Sequence, residues 1–126
     1  MKAILVDSDI LIEVSRGKDR LILERWNALA NSDSALFCSP VTVAEIWHGA
    51  RANEHAVLKS LFAAVPCITI DLEIGVVAGG YMREYWKSHR VELGDALIAA
   101  TATTHKLDLW TRNRKHYPMK ALTFAF

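Results

Sequence analysis

Four carboxylates stand where the chain could do chemistry: Asp7 and Asp9 after an apolar run, Glu45 within a helical pattern, and Asp95 before another apolar run. Each has an ordinary use. Asp7 or Ser8 can cap a helix, and Asp9 can complement its dipole. Glu45 shares the less apolar side of its helix with Thr42 and Gly49, and Asp95 reads as an N-cap. Asn113 is a good turn residue. Taken together they say more. Carboxylates brought to one place repel unless a cation neutralises them. An all-oxygen donor set suits Mg²⁺ or Mn²⁺. Such ions serve phosphodiester hydrolysis by activating water and stabilising the attacked phosphate.

The elements that must gather these acids are legible as alternating strands and helices. Strands are expected at 3–6, 35–38, 67–70, 107–111 and 122–125, all continuous apolar runs of the kind buried in a parallel sheet. Helical stripes run through Ile22, Trp26, Leu29 and Ala30, through Val57, Leu58, Leu61, Phe62 and Val65, and through Ile74, Val77, Ala78, Tyr81 and Tyr85. Ser39-Pro40 starts a helix, and Lys87 to Arg90 closes one with positive charge. Gly79-Gly80 inside the long stripe implies a close packing contact or a kink. Asp95 opens the helix 95–102, apolar all round and therefore buried. The sum is an α/β domain with a mostly parallel sheet of four to five strands and helices on both faces. Ligands of such sheets bind beyond the carboxyl ends of the strands, where Asp7, the Glu45 helix and Thr111-Arg112-Asn113 fall.

Composition bounds the partners. The 126 residues suit one domain, 52% are hydrophobic, and 15 Lys and Arg against 14 Asp and Glu leave a charge of +1. That excludes a uniformly basic glove for nucleic acid but not local patches. Arg112, Arg114, Lys115, His116 and Lys120 form one such patch; Lys87, His89 and Arg90 precede Asp95, and Arg16, Lys18 and Arg20 follow the first helix. The cysteines, Cys38 and Cys67, suit buried thiols in a reducing compartment. No apolar run approaches the roughly 18 residues of a membrane span, and Asp7 and Asp9 interrupt what would otherwise resemble a leader. A cytoplasmic protein is expected. Trp26, Trp47, Trp86 and Trp110 are assigned to the core, with Trp47, beside the acidic helix face, the one to test for base stacking.

The order Ile4-Leu5-Val6-Asp7-Ser8-Asp9, Val43-Ala44-Glu45-Ile46, Gly94-Asp95 through Ala102, and Thr111-Arg112-Asn113 resembles PIN-domain ribonucleases, and more narrowly VapC-type toxins of toxin–antitoxin pairs. The resemblance covers nearly the whole chain, with residues 1–126 forming a single PIN-like domain. It implies an α/β/α sandwich, Mg²⁺- or Mn²⁺-dependent RNA cleavage, a homodimer and a cognate antitoxin. It assigns Asp7, Glu45 and Asp95 as catalytic metal ligands. The family often has a further acid in the segment matching Asn113 through His116; here neither is acidic. Asn113 would offer a carbonyl oxygen or position water, and Asp9 would restore negative charge. Ser8, Asp9 and Thr111 would orient the ligands, and Arg112, Arg114 and Lys115 would hold RNA phosphates.

Other readings start from the same residues. Asp7-x-Asp9 after a strand, with Ser39 as a phosphate holder, resembles a phosphatase of the haloacid-dehalogenase type. That type expects a second acid shortly after Asp95, where this chain reads Ala-Leu-Ile-Ala-Ala. A degenerate acidic cluster would leave a module that only binds RNA or protein. Metal-free cleavage would need paired histidines among His48, His55, His89, His105 and His116, and the sequence shows no pairing.

Overall fold

A computed structural model describes residues 2–126. Strand β1 (Ala3–Val6) is the centre of a parallel sheet ordered β2-β1-β3, with β2 at Ala35–Phe37 and β3 at Asp108–Trp110. Its register sets Leu5 between Phe37 and Leu109. Alternation along β1 feeds two cores. Leu5 packs with Leu109 and the helices α5 (Leu72–His89) and α6 (Leu93–Thr104) on one face. Ile4 and Val6 pack on the other with α1 (Ser8–Arg16), α2 (Arg20–Ala30), α3 (Pro40–His48) and α4 (His55–Ala64). The result is the expected α/β/α layering.

The sheet differs from expectation at both edges. The runs at 67–70 and 122–125 do not become strands; each contributes a single parallel bridge, Cys38↔Cys67 and Leu109↔Phe124. Pro66 has no N–H to extend the first ladder, and its segment leads into the Asp71 cap of α5. On the far edge, Leu122 N–H turns back to the Met119 carbonyl (3.1 Å), so pairing begins only with the Thr123 carbonyl. Cys67 is exposed rather than buried, although its Sγ lies 3.1 Å from that of buried Cys38.

Short-range caps fix the helices. The Asp19 and Asp71 side chains accept from Ile22 N–H (3.1 Å) and Ile74 N–H (3.0 Å). Gly17 ends α1 at φ 66°, and Arg90 takes a left-handed φ of 50° to end α5. Helix α6 begins at Leu93, two residues before the expected start, so Asp95 sits within its first turn and Glu92 is the N-cap. Ala96 and the run Ile98–Ala102 are all buried, as expected of a helix apolar all round.

Gly79 and Gly80 lie inside a continuous helix and mark no tight contact: a Cβ at either would meet nothing within 4 Å. Gly79→Ala is therefore expected to stabilise the protein by about 0.5–1 kcal/mol through the lower entropy of the unfolded chain, read as a higher urea midpoint at unchanged slope. Trp86 also departs from expectation: it is 47% exposed and carries Arg90 over its ring at 5.1 Å.

Candidate active site

Because the three strands are parallel, their carboxyl ends share one edge. There, Asp7, Ser8, Asp9, Glu45, Asp95 and Asn113 line one cavity of about 280 Å³, together with Glu92, Gly94 and His116. A larger hollow of about 430 Å³ lies near the start of β2 between Trp26 and Pro66, and its lining has no titratable side chain.

Asp7 is the hub. It follows β1, is 5% exposed, and is fixed to the neighbouring strand by its N–H to the Trp110 carbonyl (3.0 Å). Its Oδ1 accepts from Ser8 N–H (2.8 Å), so the residue is indeed the N-cap of α1. Its Oδ2 accepts from the hydroxyls of Thr111 (3.0 Å) and Tyr117 (2.8 Å). While capping α1, Asp7 also lines the cavity at the strand ends.

The other acids arrive from separate elements. Glu45, on the second turn of α3, accepts from Ser8 Oγ (3.3 Å). Asp95 accepts from Tyr117 Oη (3.3 Å) and has His116 Nδ1 at 3.7 Å. Asp9 latches the turn after β3: its Oδ2 takes Arg112 N–H (2.8 Å), Asn113 Nδ2 (3.3 Å) and Thr111 Oγ1 (3.5 Å). Asn113 N–H in turn donates to Thr111 Oγ1 (3.0 Å).

The basic segment is arranged differently from what the sequence suggests. Arg112 pairs with Asp19 (3.3 Å) and Glu13 (3.6 Å), and Arg114 lies over the Phe124 ring at 4.7 Å. Neither they nor Lys115 line the cavity, although all three are exposed. Trp47 packs against His55 at 4.9 Å and is also outside the lining. Sequence reasoning places His116 only in the basic patch and assigns no site role to Tyr117 or Glu92. For Tyr117 the available sign was an aromatic with a polar tip shortly after a strand-end turn.

Burial first, and the Asp7 charge after it, push the carboxyl groups of Glu45 and Asp95 above their ordinary range. Asp9 is also raised by burial, with the Arg112 N–H pulling the other way ahead of the Asp7 repulsion. Burial and the two carboxylates beside it raise the Tyr117 phenol far above its usual value, so it remains a donor. Folded Asp9, Glu45 and Asp95 thus take up protons before the unfolded chain does. The stability they contribute is present at low pH and lost as pH rises through their raised values. Metal-free protein should accordingly melt at higher temperature as pH falls from neutral toward the ordinary values of 3.8 for Asp and 4.5 for Glu. Saturating Mn²⁺ should reverse the trend, since a cation needs the ionised acids. Melting curves in chelator and in Mn²⁺ check this, and a chelated curve that falls with acidification counts against the repulsion.

The donor set fits a hard divalent cation. Apart from the His116 imidazole, the polar side chains of the lining offer oxygens from carboxylates, a hydroxyl and an amide, the acids repel one another, and Asp9 Oδ1 is buried without a hydrogen-bond partner. Among the described residues, no three His, Cys, Asp or Glu side chains already form a metal cage. A phosphatase reading fares poorly: Ser39 is 0% exposed, with Oγ accepting Val41 N–H (3.1 Å) as the cap of α3. Among the described residues, no contact joins two histidines.

Known proteins match this chain over most of its length. The PIN domain family matches residues 4–122. Ribonuclease VapC10 of Mycobacterium tuberculosis is 41% identical over 117 residues, covering 92% of this chain and 86% of that protein. Ribonuclease VapC19 of the same organism is 34% identical over 119 residues, covering 91% and 92%. The structure of VapBC2 from Rickettsia felis, bound to a promoter DNA fragment, superposes with a TM-score of 0.82 at 16% identity, covering 98% of this chain and 97% of that one. With the family model matching residues 4–122 and relatives 41% and 34% identical over most of its length, the chain belongs to the PIN-domain family.

Proposed function

We propose that this chain is a divalent-metal-dependent endoribonuclease, the toxin of a type II toxin–antitoxin pair, acting on RNA in the cytoplasm. The observation that carries the reading is the convergence of Asp7, Glu45 and Asp95, from the end of β1, from α3 and from α6, on one acidic cavity. The names of the VapC relatives support the RNA substrate, and the VapBC complex supports an antitoxin partner.

Asp7, Glu45 and Asp95 would hold Mg²⁺ or Mn²⁺. When bound there, such an ion would supply Lewis acidity for the phosphodiester and lower the pKa of water toward neutral pH. Ser8 and Thr111 keep the Asp7 carboxyl from rotating, while Asp9 holds the turn that brings Asn113 to the cavity wall. Asn113 has an amide oxygen to orient water. Arg114 and Lys115, exposed beyond the rim, would meet phosphates flanking the cut, and Arg112 would join them by exchanging Asp19 and Glu13 for phosphate. Leu72 at 85% exposure, Val76 at 67% and Leu93 at 59% give the α5–α6 side apolar surface for a second copy or an antitoxin.

The test is cleavage of total RNA by purified protein in Mn²⁺ and in chelator, at two salt concentrations. Cutting should require the ion, and RNA affinity should fall with salt as counterions are released. Arg114→Ala should raise the RNA concentration for half-maximal rate, lower the salt slope by about 1, and spare the rate at saturation. Undiminished cutting in chelator would overturn the metal mechanism.

A further inference from the structure

Tyr117 follows the short 3-10 turn Arg114–His116 and is 3% exposed, its ring packed in the core with Leu109 and Met119. Its hydroxyl reaches two of the cavity acids at once: Asp7 Oδ2 at 2.8 Å and Asp95 Oδ1 at 3.3 Å. These acids come from different elements, one after β1 and one in α6, and like charge drives them apart. Thr111 offers an internal comparison. It donates to the same Asp7 oxygen, but its other carboxylate is Asp9 rather than Asp95. Tyr117 is therefore the hydroxyl that spans the two.

We propose that Tyr117 is a positioning residue of the site, whose hydroxyl sets the orientation and spacing of Asp7 and Asp95 by bridging them from the core side. The role rests on the metal reading above. Tyr117 engages Asp7 Oδ2 and Asp95 Oδ1, leaving Asp7 Oδ1 and Asp95 Oδ2 as the oxygens it does not bind. A rigid ring anchored in the core, its single hydroxyl proton shared in a three-centre bond with Asp7 (2.8 Å) as the nearer acceptor and Asp95 (3.3 Å) as the farther, opposes their repulsion in the metal-free protein and limits the reorganisation needed when a cation arrives. Groups that orient metal ligands in this way are typically worth 10–100-fold in affinity or activity, on the order expected here.

Tyr117→Phe keeps the ring and removes only the hydroxyl, with Thr111→Val as the comparison. In chelated protein, carboxyl carbon resonances of both Asp7 and Asp95 should move in Tyr117→Phe, whereas Thr111→Val should move Asp7 and Asp9 and leave Asp95 in place. Mn²⁺ titration calorimetry should show Tyr117→Phe binding about 10-fold or more weakly, with single-turnover cleavage slowed and RNA affinity unchanged. An unmoved Asp95 resonance overturns the bridge, and Mn²⁺ affinity within about twofold of the parent overturns the positioning role. If the parent binds no Mn²⁺, the metal reading fails and the positioning role with it, while the chelated spectra still report separately whether the bridge exists. Should Tyr117→Phe not fold, the unaltered protein decides: a slowly exchanging Tyr117 hydroxyl proton coupled to both carboxyl groups supports the bridge, and its absence overturns it.

Discussion

Asp7→Asn is expected to lower RNA cleavage by about 10³-fold or more, a loss of roughly 4 kcal/mol in the reacting step, while leaving the protein folded. Asparagine has nearly the same shape and keeps an oxygen for Ser8 N–H, but it removes the charge at the hub of the cavity. Two opposing effects act on stability. The hydroxyls of Thr111 and Tyr117 lose a charged acceptor, an interaction worth about 1.5–3 kcal/mol each when no substitute exists. Substitutes do exist, since Thr111 also reaches Asp9 and Tyr117 also reaches Asp95. Against the remaining loss stands the relief of repulsion on Asp9, Glu45 and Asp95, all of them raised in part by the Asp7 charge. The melting temperature in chelator should therefore stay within a few degrees of the parent, and RNA binding should hold or tighten. Single-turnover cleavage in Mn²⁺, beside a melt in chelator, separates the effects. Parental cleavage by Asp7→Asn would mean that the acidic cavity is not the reacting site.

Leu5→Ala is expected to be among the most destabilising single changes, at about 3 kcal/mol within a range of 2–5. Leu5 is 0% exposed and sits in the central strand between Phe37 and Leu109, beneath α6. The cavity left by truncation has rigid walls, so little of the lost contact can be recovered by collapse. For a chain of this size the melting temperature should fall by roughly 10 °C, with the denaturant slope unchanged. Leu36→Ala in β2, where the side chain is only partly buried, should cost distinctly less. Equal effects at the two positions would contradict the placement of β1 at the centre. Since Asp7 directly follows β1, activity should fall with the folded fraction and not before it, which distinguishes this loss from that of Asp7→Asn.

Features governed by forces acting over a few residues could be read from the chain alone. The apolar run at 3–6 is a buried strand, the Ser39-Pro40 start holds, and α6 buries Ala96 and Ile98–Ala102 because no polar stripe runs along it, while Leu93 in its first turn stays exposed. Successive parallel strands, once expected, put Asp7, Glu45, Asp95 and Asn113 at one end, and the structure gathers all four around a single cavity. Partners of equal local chemistry were decided only by packing. An apolar run at 67–70 becomes a strand only if its neighbour offers a full ladder, and Pro66 and the Asp71 cap prevent that. A guanidinium pairs with whichever carboxylate folding brings near, so Arg112 faces Asp19 and Glu13 rather than the cavity. Trp86 shares an amphipathic helix with buried residues yet lies outside the buried stripe. The hydrogen bonds from Tyr117 to Asp7 and Asp95 span 110 and 22 positions of sequence. No periodicity encodes such contacts, because they depend on where separate elements come to rest against one core.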